Sequence, residues 1–298
     1  MKSRLRSTIF FLALIFSAEI MPDSGIAEEK KEEILKIGNL ALPLSQLPAP
    51  LLSFGQNIVG EGDFLGFTYP AYIKGHHKKF SEILTGFVYG IRGDLSLFAY
   101  IPVATRFKLD NQCSSGIEDM VVQLEYAYYL AYSHTSINLA TIVGNITLPS
   151  GSLDKAVPTG FGSPTFLLGF TGVHLDIDWY CFVSLGAQFP TMSDNILSGK
   201  RFLYQGGVGR NISYATDRYI FSWLLEFDGT YYQRDKILGI PDPDSGGNSI
   251  LLGPSLFFST QHLIAHAGIS WVISQHLFGL QNKNKYVVAA VIAWKFNS

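Results

Sequence analysis

His134 and Ser136 are the residues whose types and spacing could most readily do chemistry. On a β-strand, residues two apart share a face, so this pair would place an imidazole beside a hydroxyl. Hydrolysis would further require His134 to activate Ser136 and a third group to orient the histidine. However, His134-Thr135-Ser136 falls at a short turn between two strand-like segments. The sequence therefore predicts that the protein is not an enzyme.

Metal and cofactor motifs are weak in this sequence. The adjacent His76 and His77 precede two lysines, a composition typical of a solvated loop. The run Gly206-Gly207-Val208-Gly209 is followed by no helix, so it does not predict a phosphate-binding loop. Two cysteines cannot form a disulfide scaffold, and no Cys/His spacing fits zinc. We predict no metal and no cofactor.

A set of polar residues recurs on one face of the strand-like segments. Two interpretations stay open: these side chains line a lumen that passes a solute, or they fill the interior and pair across strands, as a buried charge requires. The candidates are Arg106, Gln123, Glu125, Ser184, Gln188, Gln205, Glu226, Asp228, His266 and Lys295.

Period-2 alternation identifies the elements that must position these residues. Between Met120 and Tyr132 the even positions are wholly apolar or aromatic, whereas the odd positions include Gln123 and Glu125. The segment from Tyr219 to Tyr231 repeats the pattern. Such alternation is typical of strands that lie between two different environments.

The spacing of these segments predicts about twelve strands. We place them near 63–74, 80–92, 95–108, 117–132, 136–148, 164–175, 179–189, 201–214, 218–232, 248–258, 262–273 and 286–296. Short turns alternate with long loops, among which we count 75–79. This alternation and an even strand number are typical of outer-membrane barrels, and a sheet in lipid must close to pair its edges. The predicted fold is an all-β, transmembrane, antiparallel up-and-down β-barrel.

Composition agrees with a membrane class. Charged residues make up 15% of the chain and aromatic residues 14%, against about 25% charged in ordinary soluble proteins. The formal net charge of -2 gives no basis for binding nucleic acid.

The N-terminal region predicts export. Basic residues precede an apolar stretch from Thr8 to Ala18, and Gly25 and Ala27 suit a signal-peptidase site with cleavage between Ala27 and Glu28. We therefore assign 1–27 to a signal peptide and 63–298 to the barrel.

Residues 28–62 form a separate segment between these two regions. It begins with a charge run and continues without any charge from Ile37 to Gly60, where three prolines argue against a spanning helix. We expect this segment to be periplasmic or to dock on or in the barrel as a plug.

Several short motifs follow one another along the chain in a specific order. They are Tyr89 to Leu97, Gly116-Ile117-Glu118-Asp119, Leu148-Pro149-Ser150-Gly151, Gly162-Ser163-Pro164 and Gly253-Pro254-Ser255. These motifs resemble those of the outer-membrane transporter family named for the meta-pathway of phenol degradation. The chain departs from that family at Glu118, where a glycine is usual, and in ending Phe296-Asn297-Ser298 rather than on an aromatic residue. The resemblance implies a barrel grouped with transporters of small hydrophobic or aromatic compounds.

Together these features predict a channel or transporter in the Gram-negative outer membrane. The expected partners are membrane lipid, lipopolysaccharide, the outer-membrane assembly machinery and a small hydrophobic solute. Two alternatives remain: a structural or surface-exposed barrel without transport activity, and an outer-membrane lipid hydrolase acting through His134 and Ser136.

Overall fold

The computed structural model describes residues 34–193 and 195–296. The predicted signal peptide and its Ala27–Glu28 cleavage site lie outside the described residues. Within the described ranges, no helix has the length and apolar composition needed to cross a membrane.

Seventeen strands and two short 3-10 helices make up the regular structure of the described residues. The helices are η1 (Gly38–Leu40) and η2 (Leu44–Gln46). The long strands are β1 (Phe64–Gly75), β2 (Lys78–Arg92), β3 (Leu95–Leu109), β5 (Met120–Tyr132), β6 (Ser136–Leu148), β7 (Thr165–Asp176), β8 (Trp179–Pro190), β11 (Arg201–Ala215), β12 (Tyr219–Tyr232), β15 (Gly247–Thr260), β16 (Leu263–Leu277) and β17 (Asn284–Lys295). The short strands are β4 (Gln112–Ile117), β9 (Met192–Ser193), β10 (Ile196–Leu197), β13 (Lys236–Ile237) and β14 (Ile240–Pro241).

The long strands close into an antiparallel barrel. Each pairs with its neighbours in the chain, and β1 also pairs with β17, which seals the sheet. Because β4 and β5 pair with successive parts of β3, they share one position, and the barrel has twelve. The predicted fold class and strand number are confirmed. Strands β9, β10, β13 and β14 form a small separate sheet in two of the long loops.

Most of the predicted turns and loops agree with the strand bounds. Two loop predictions are wrong. The sequence also predicts a long loop at 109–116, but β3 ends at Leu109 and β4 begins at Gln112, so only two residues separate these strands. Likewise, the loop placed at 75–79 is a tight turn in which only His76 and His77 separate β1 from β2. The mixture of lysine, histidine and glycine suggested a loop, but Lys78 and Lys79 continue the ladder and pair with Leu109 and Lys108.

The two faces of the wall differ in polarity. Large apolar side chains such as Leu168, Leu185 and Ile292 are more than half exposed on the outside, at 52%, 53% and 55%. Buried polar residues such as Gln123, Glu125 and Ser184 lie inside. This is the reverse of a soluble protein, in which apolar side chains are buried and polar ones exposed.

Aromatic side chains gather toward both ends of the outer face. Trp179 and Trp223 meet edge to face at 6.4 Å near the short turns. Tyr72 and Tyr286 lie 6.3 Å apart at the opposite end. Two such levels are the arrangement seen where barrels meet membrane interfaces.

Candidate functional site

We call residues 34–63 the lumen segment. It begins beside the short turns, where Leu35 and Lys36 are exposed, and then continues into the interior of the barrel. Asn39, Leu40 and Ala41 are buried, as are Leu51 and Ile58 further along. Between Leu51 and Val59 this segment forms no regular structure of its own, so its backbone groups must find partners on the wall.

Two buried carboxylates hold the middle of the lumen segment. Glu226 on β12 accepts hydrogen bonds from the backbone N–H of Leu51, at 2.9 and 3.0 Å to its two oxygens, and of Leu52, at 3.2 Å. Glu125 on β5 accepts from the N–H of Gln56 at 2.7 Å and of Asn57 at 3.0 Å. Backbone donors thus replace the water that each carboxylate loses on burial.

These two anchors lie on nearly opposite sides of the barrel, because β12 is the fifth strand from β5 around a ring of twelve. A chain bound to Glu226 at Leu51 and to Glu125 at Gln56 must therefore cross the lumen.

Neutral wall groups bind the lumen segment between the two anchors and just beyond the second one. The N–H of Phe54 donates to Gln205 at 3.1 Å, and Ser184 donates its hydroxyl to the Phe54 carbonyl, also at 3.1 Å. The N–H of Val59 donates to Ser96 at 3.1 Å. The lumen segment is thus fixed by side chains that project from many strands.

An ion pair fixes the end of the lumen segment. Lys295 on β17 lies 2.8 Å from Asp63, and the two side chains are only 10% and 18% exposed. Lys295 also donates to Ser45 at 3.4 Å. This pair joins the last barrel strand to the residue that precedes the first.

A cavity of about 480 Å³ lies between the lumen segment and the wall. Part of its lining is apolar and aromatic and includes Phe67, Leu84, Phe98 and Tyr100. Amide side chains line it as well, and these are Gln123, Asn145, Gln188 and Gln205. A volume of this size is within the range of small-molecule sites, and an apolar wall with a few polar groups is their usual composition.

The ten polar residues predicted from sequence differ in burial: seven are buried, two are half-buried, and one, Arg106, is exposed. Seven are buried on the interior face: Gln123, Glu125, Ser184, Gln205, Glu226, His266 and Lys295. Two more, Gln188 and Asp228, are half-buried. Four of the ten line the cavity, namely Gln123, Gln188, Gln205 and His266.

Arg106 is exposed, and its predicted interior position is wrong. A bulge at this point of β3 makes Ser81 pair with Arg106 but Glu82 with Ala104. The extra residue shifts the alternation, so Phe107 rather than Arg106 joins Ala104 in a buried cluster.

The structure brings several of these candidates together. Gln205 donates its side-chain N–H to Asp228. His266 and Ser255 lie 2.8 Å apart, and Ser255 donates to Glu226 at 3.3 Å. Because the Ser255 proton points to the carboxylate, the histidine donates to the serine, which is the reverse of a catalytic Ser–His pair. This chain of hydrogen bonds supports an anchor of the lumen segment.

The hydrolase candidates lie at the short turn between β5 and β6. The Ser136 hydroxyl is 2.8 Å from that of Ser133, and the His134 carbonyl accepts the N–H of Leu35. Among the described residues, no group of three or more His, Cys, Asp or Glu side chains is placed to hold a metal ion.

Sequence reasoning missed the neutral partners of the lumen segment. Tyr180 donates its hydroxyl to Gln56, Ser259 donates to Gln46 at 3.0 Å, and Asn39 donates its amide to the Asp176 carbonyl at 3.1 Å. A usable signal was present, because Asn39, Gln46 and Gln56 are the kind of polar residue that a buried, charge-free segment needs.

No family model and no curated protein matches the sequence. Among solved structures, the chain is similar to an outer membrane channel from Pseudomonas putida F1, with 13% identity, a TM-score of 0.66, and coverage of 84% of this chain and 99% of that one. This likeness shows a shared barrel fold.

Two further structures match less well and carry no argument. OmpT, an outer membrane protein of Vibrio cholerae in its trimer form, gives a TM-score of 0.35 at 8% identity over 78% of this chain and 98% of that one. The TodX monoaromatic hydrocarbon channel gives 0.34 at 9% identity over 80% and 91%. The resemblance to the phenol meta-pathway family stays a prediction.

Proposed function

We propose that the protein is an outer-membrane channel or transporter for small hydrophobic or aromatic compounds, and that its lumen segment must shift for solute to pass. The cavity between the lumen segment and the wall is the observation that carries this proposal. Its aromatic lining suits an apolar ring, and its amides suit a single polar substituent.

The outer surface supports a location in lipid. Apolar side chains cover the wall between two aromatic levels, and closure of the sheet through β1 and β17 pairs each of the long strands on both sides. The fold neighbour from Pseudomonas putida F1 is an outer membrane channel, which favours transport over a purely structural barrel. Insertion by the outer-membrane assembly machinery belongs to the same proposal.

Solute uptake by proteoliposomes tests the proposal. Liposomes with lipopolysaccharide in the outer leaflet receive the protein, and entry of a small hydroxylated aromatic solute is measured. Leu203→Trp fills the cavity from β11, whereas Leu185→Trp makes the same change on the outer face of the adjacent β8.

We expect uptake above that of protein-free liposomes, a several-fold loss with Leu203→Trp, and little change with Leu185→Trp. Wild-type uptake no faster than that of protein-free liposomes would favour the structural-barrel alternative. Equal uptake by the two tryptophan variants would show that the solute does not use this cavity.

A further inference from the structure

Three lysines lie side by side on the outer face of the barrel, and we call them the lysine row. Lys74 on β1 pairs directly with Lys79 on β2, and Lys79 pairs directly with Lys108 on β3. Directly paired residues share a face with their Cβ atoms about 5 Å apart, and like charges in that position destabilise a sheet. The row therefore carries a cost that an anionic partner would relieve.

The lysine row faces away from the lumen. Phe80 and Phe107 stack at 4.6 Å and pack in the buried cluster that includes Ala104. Since alternate residues point to opposite faces, Lys79 and Lys108 must point outward. Arg106 lies on this outward face too, opposite Ser81, in the next pair on the same face away from the rim. The bulge that removes Arg106 from the interior thus adds a cation beside the row.

The height of the lysine row along the barrel indicates its partner. Tyr72 is two residues below Lys74 on the same face and meets Tyr286, which pairs directly with Lys74. Aromatic levels of this kind lie at the lipid headgroups, so the lysines lie at the headgroup phosphates or just beyond them.

A pocket gives the lysine row a concave surface. Its volume is about 400 Å³, and it is lined by all three lysines, by Lys78, and by His76 and His77 at the β1–β2 turn. One carboxylate, Asp110, also lines it and lies 3.7 Å from His77. Positive charge therefore dominates this pocket, although the formal net charge of the whole chain is -2.

We propose that the lysine row binds the phosphate groups of an outer-leaflet glycolipid. The proposal goes beyond transport and rests on the outer-membrane location alone. A free anion is the less suitable ligand, because Lys74, Lys79 and Lys108 project from the lipid-facing side of the wall and not into the lumen. The glycolipid brings acyl chains that cover the apolar wall below Tyr72 while its phosphates meet the lysines.

Lipid binding by the purified full-length protein tests this assignment. Adducts are counted by native mass spectrometry during titration with bisphosphorylated lipid A, with the same lipid lacking phosphates, and with inorganic phosphate. The test variant is Lys74→Gln/Lys79→Gln/Lys108→Gln. The matched control, Lys200→Gln/Arg234→Gln/Lys236→Gln, removes three charges from exposed positions beside β11 and β12.

We expect wild type and control to bind phosphorylated lipid A equally, and the lysine-row variant to bind it at least tenfold more weakly. Circular dichroism and heat-dependent gel mobility establish that all variants are folded. Equal binding by the two triple variants, or equal binding of the dephosphorylated lipid by wild type, would overturn the proposal. Saturation of the row by inorganic phosphate at matching concentrations would overturn the choice of a lipid. Solute uptake should be unchanged in the lysine-row variant, so failure here is separable from failure of the channel proposal.

Discussion

Glu226→Gln should loosen the lumen segment without unfolding the barrel. Both carboxylate oxygens accept backbone N–H groups, from Leu51 at 2.9 and 3.0 Å and from Leu52 at 3.2 Å. Glutamine keeps one acceptor oxygen and removes the charge. Hydrogen bonds to charged groups contribute about 1.5–3 kcal/mol, so we expect the attached state to lose about 2 kcal/mol. That loss raises the detached population roughly 30-fold.

Amide hydrogen exchange measures this change directly. Peptides that cover 47–57 should exchange roughly 30-fold faster in Glu226→Gln, while peptides from β5 to β8 should keep wild-type protection. The matched control is Ser249→Ala, which removes a buried contact between two wall strands, the 3.2 Å hydrogen bond from Gln275 to Ser249. Wild-type exchange of 47–57 in a folded Glu226→Gln protein would refute the assignment of Glu226 as an anchor.

Four further predictions follow from the same structure. Leu225 is on the outer face and Ser222 is buried, so Leu225→Arg should lower stability in bilayers by about 2–4 kcal/mol whereas Ser222→Ala changes it little; equal defects would show the face assignment to be wrong. Lys295→Met leaves Asp63 buried without its cation and should cost about 3–5 kcal/mol in denaturant titration, with partial recovery in Asp63→Asn/Lys295→Met; a neutral single variant would contradict this. In a background of Cys113→Ser/Cys181→Ser, an impermeant thiol reagent on intact cells should label Leu238→Cys, at a 73% exposed position in the long loop between β12 and β15, but not Thr216→Cys in the short turn between β11 and β12; labelling of Thr216→Cys alone would show the opposite orientation in the membrane. Sequencing the protein from membranes should read Glu-Glu-Lys-Lys from Glu28, and an intact Met1 would exclude cleavage there.

Local periodicity predicted the barrel well because strand identity is a local property. The segment 136–148 was placed with both bounds correct, and most other strands within two residues. Alternation failed where a bulge adds a residue. On β5 the register shifts between Ala127 and Tyr129, so Leu130 packs inside although strict alternation puts it outside.

The position of the lumen segment could not be read from such patterns. A charge-free stretch with three prolines is compatible with burial in several places, and its partners are distant in the chain. Leu51 and Glu226 are 175 residues apart, and Gln46 and Ser259 are 213 apart. Only closure of the barrel brings these groups together, so the interior polar residues were found as a set while their role as anchors was not.

A reversible tether between the lumen segment and the wall tests most directly whether this segment must move for solute to pass. A Cβ built on Gly55 would lie 3.6 Å from the Thr171 Cβ, within the range for a disulfide, although the φ of +82° at Gly55 costs a non-glycine residue about 1–2 kcal/mol. Gly55→Cys/Thr171→Cys is made in the background of Cys113→Ser/Cys181→Ser, with Thr171→Cys alone as the control.

Uptake of the aromatic solute is then measured before and after reduction of the disulfide. Our account predicts that oxidised protein is blocked and that reductant restores uptake, with no such response in the control. Undiminished uptake by fully oxidised protein would contradict the account, because solute would then pass with the lumen segment fixed in place.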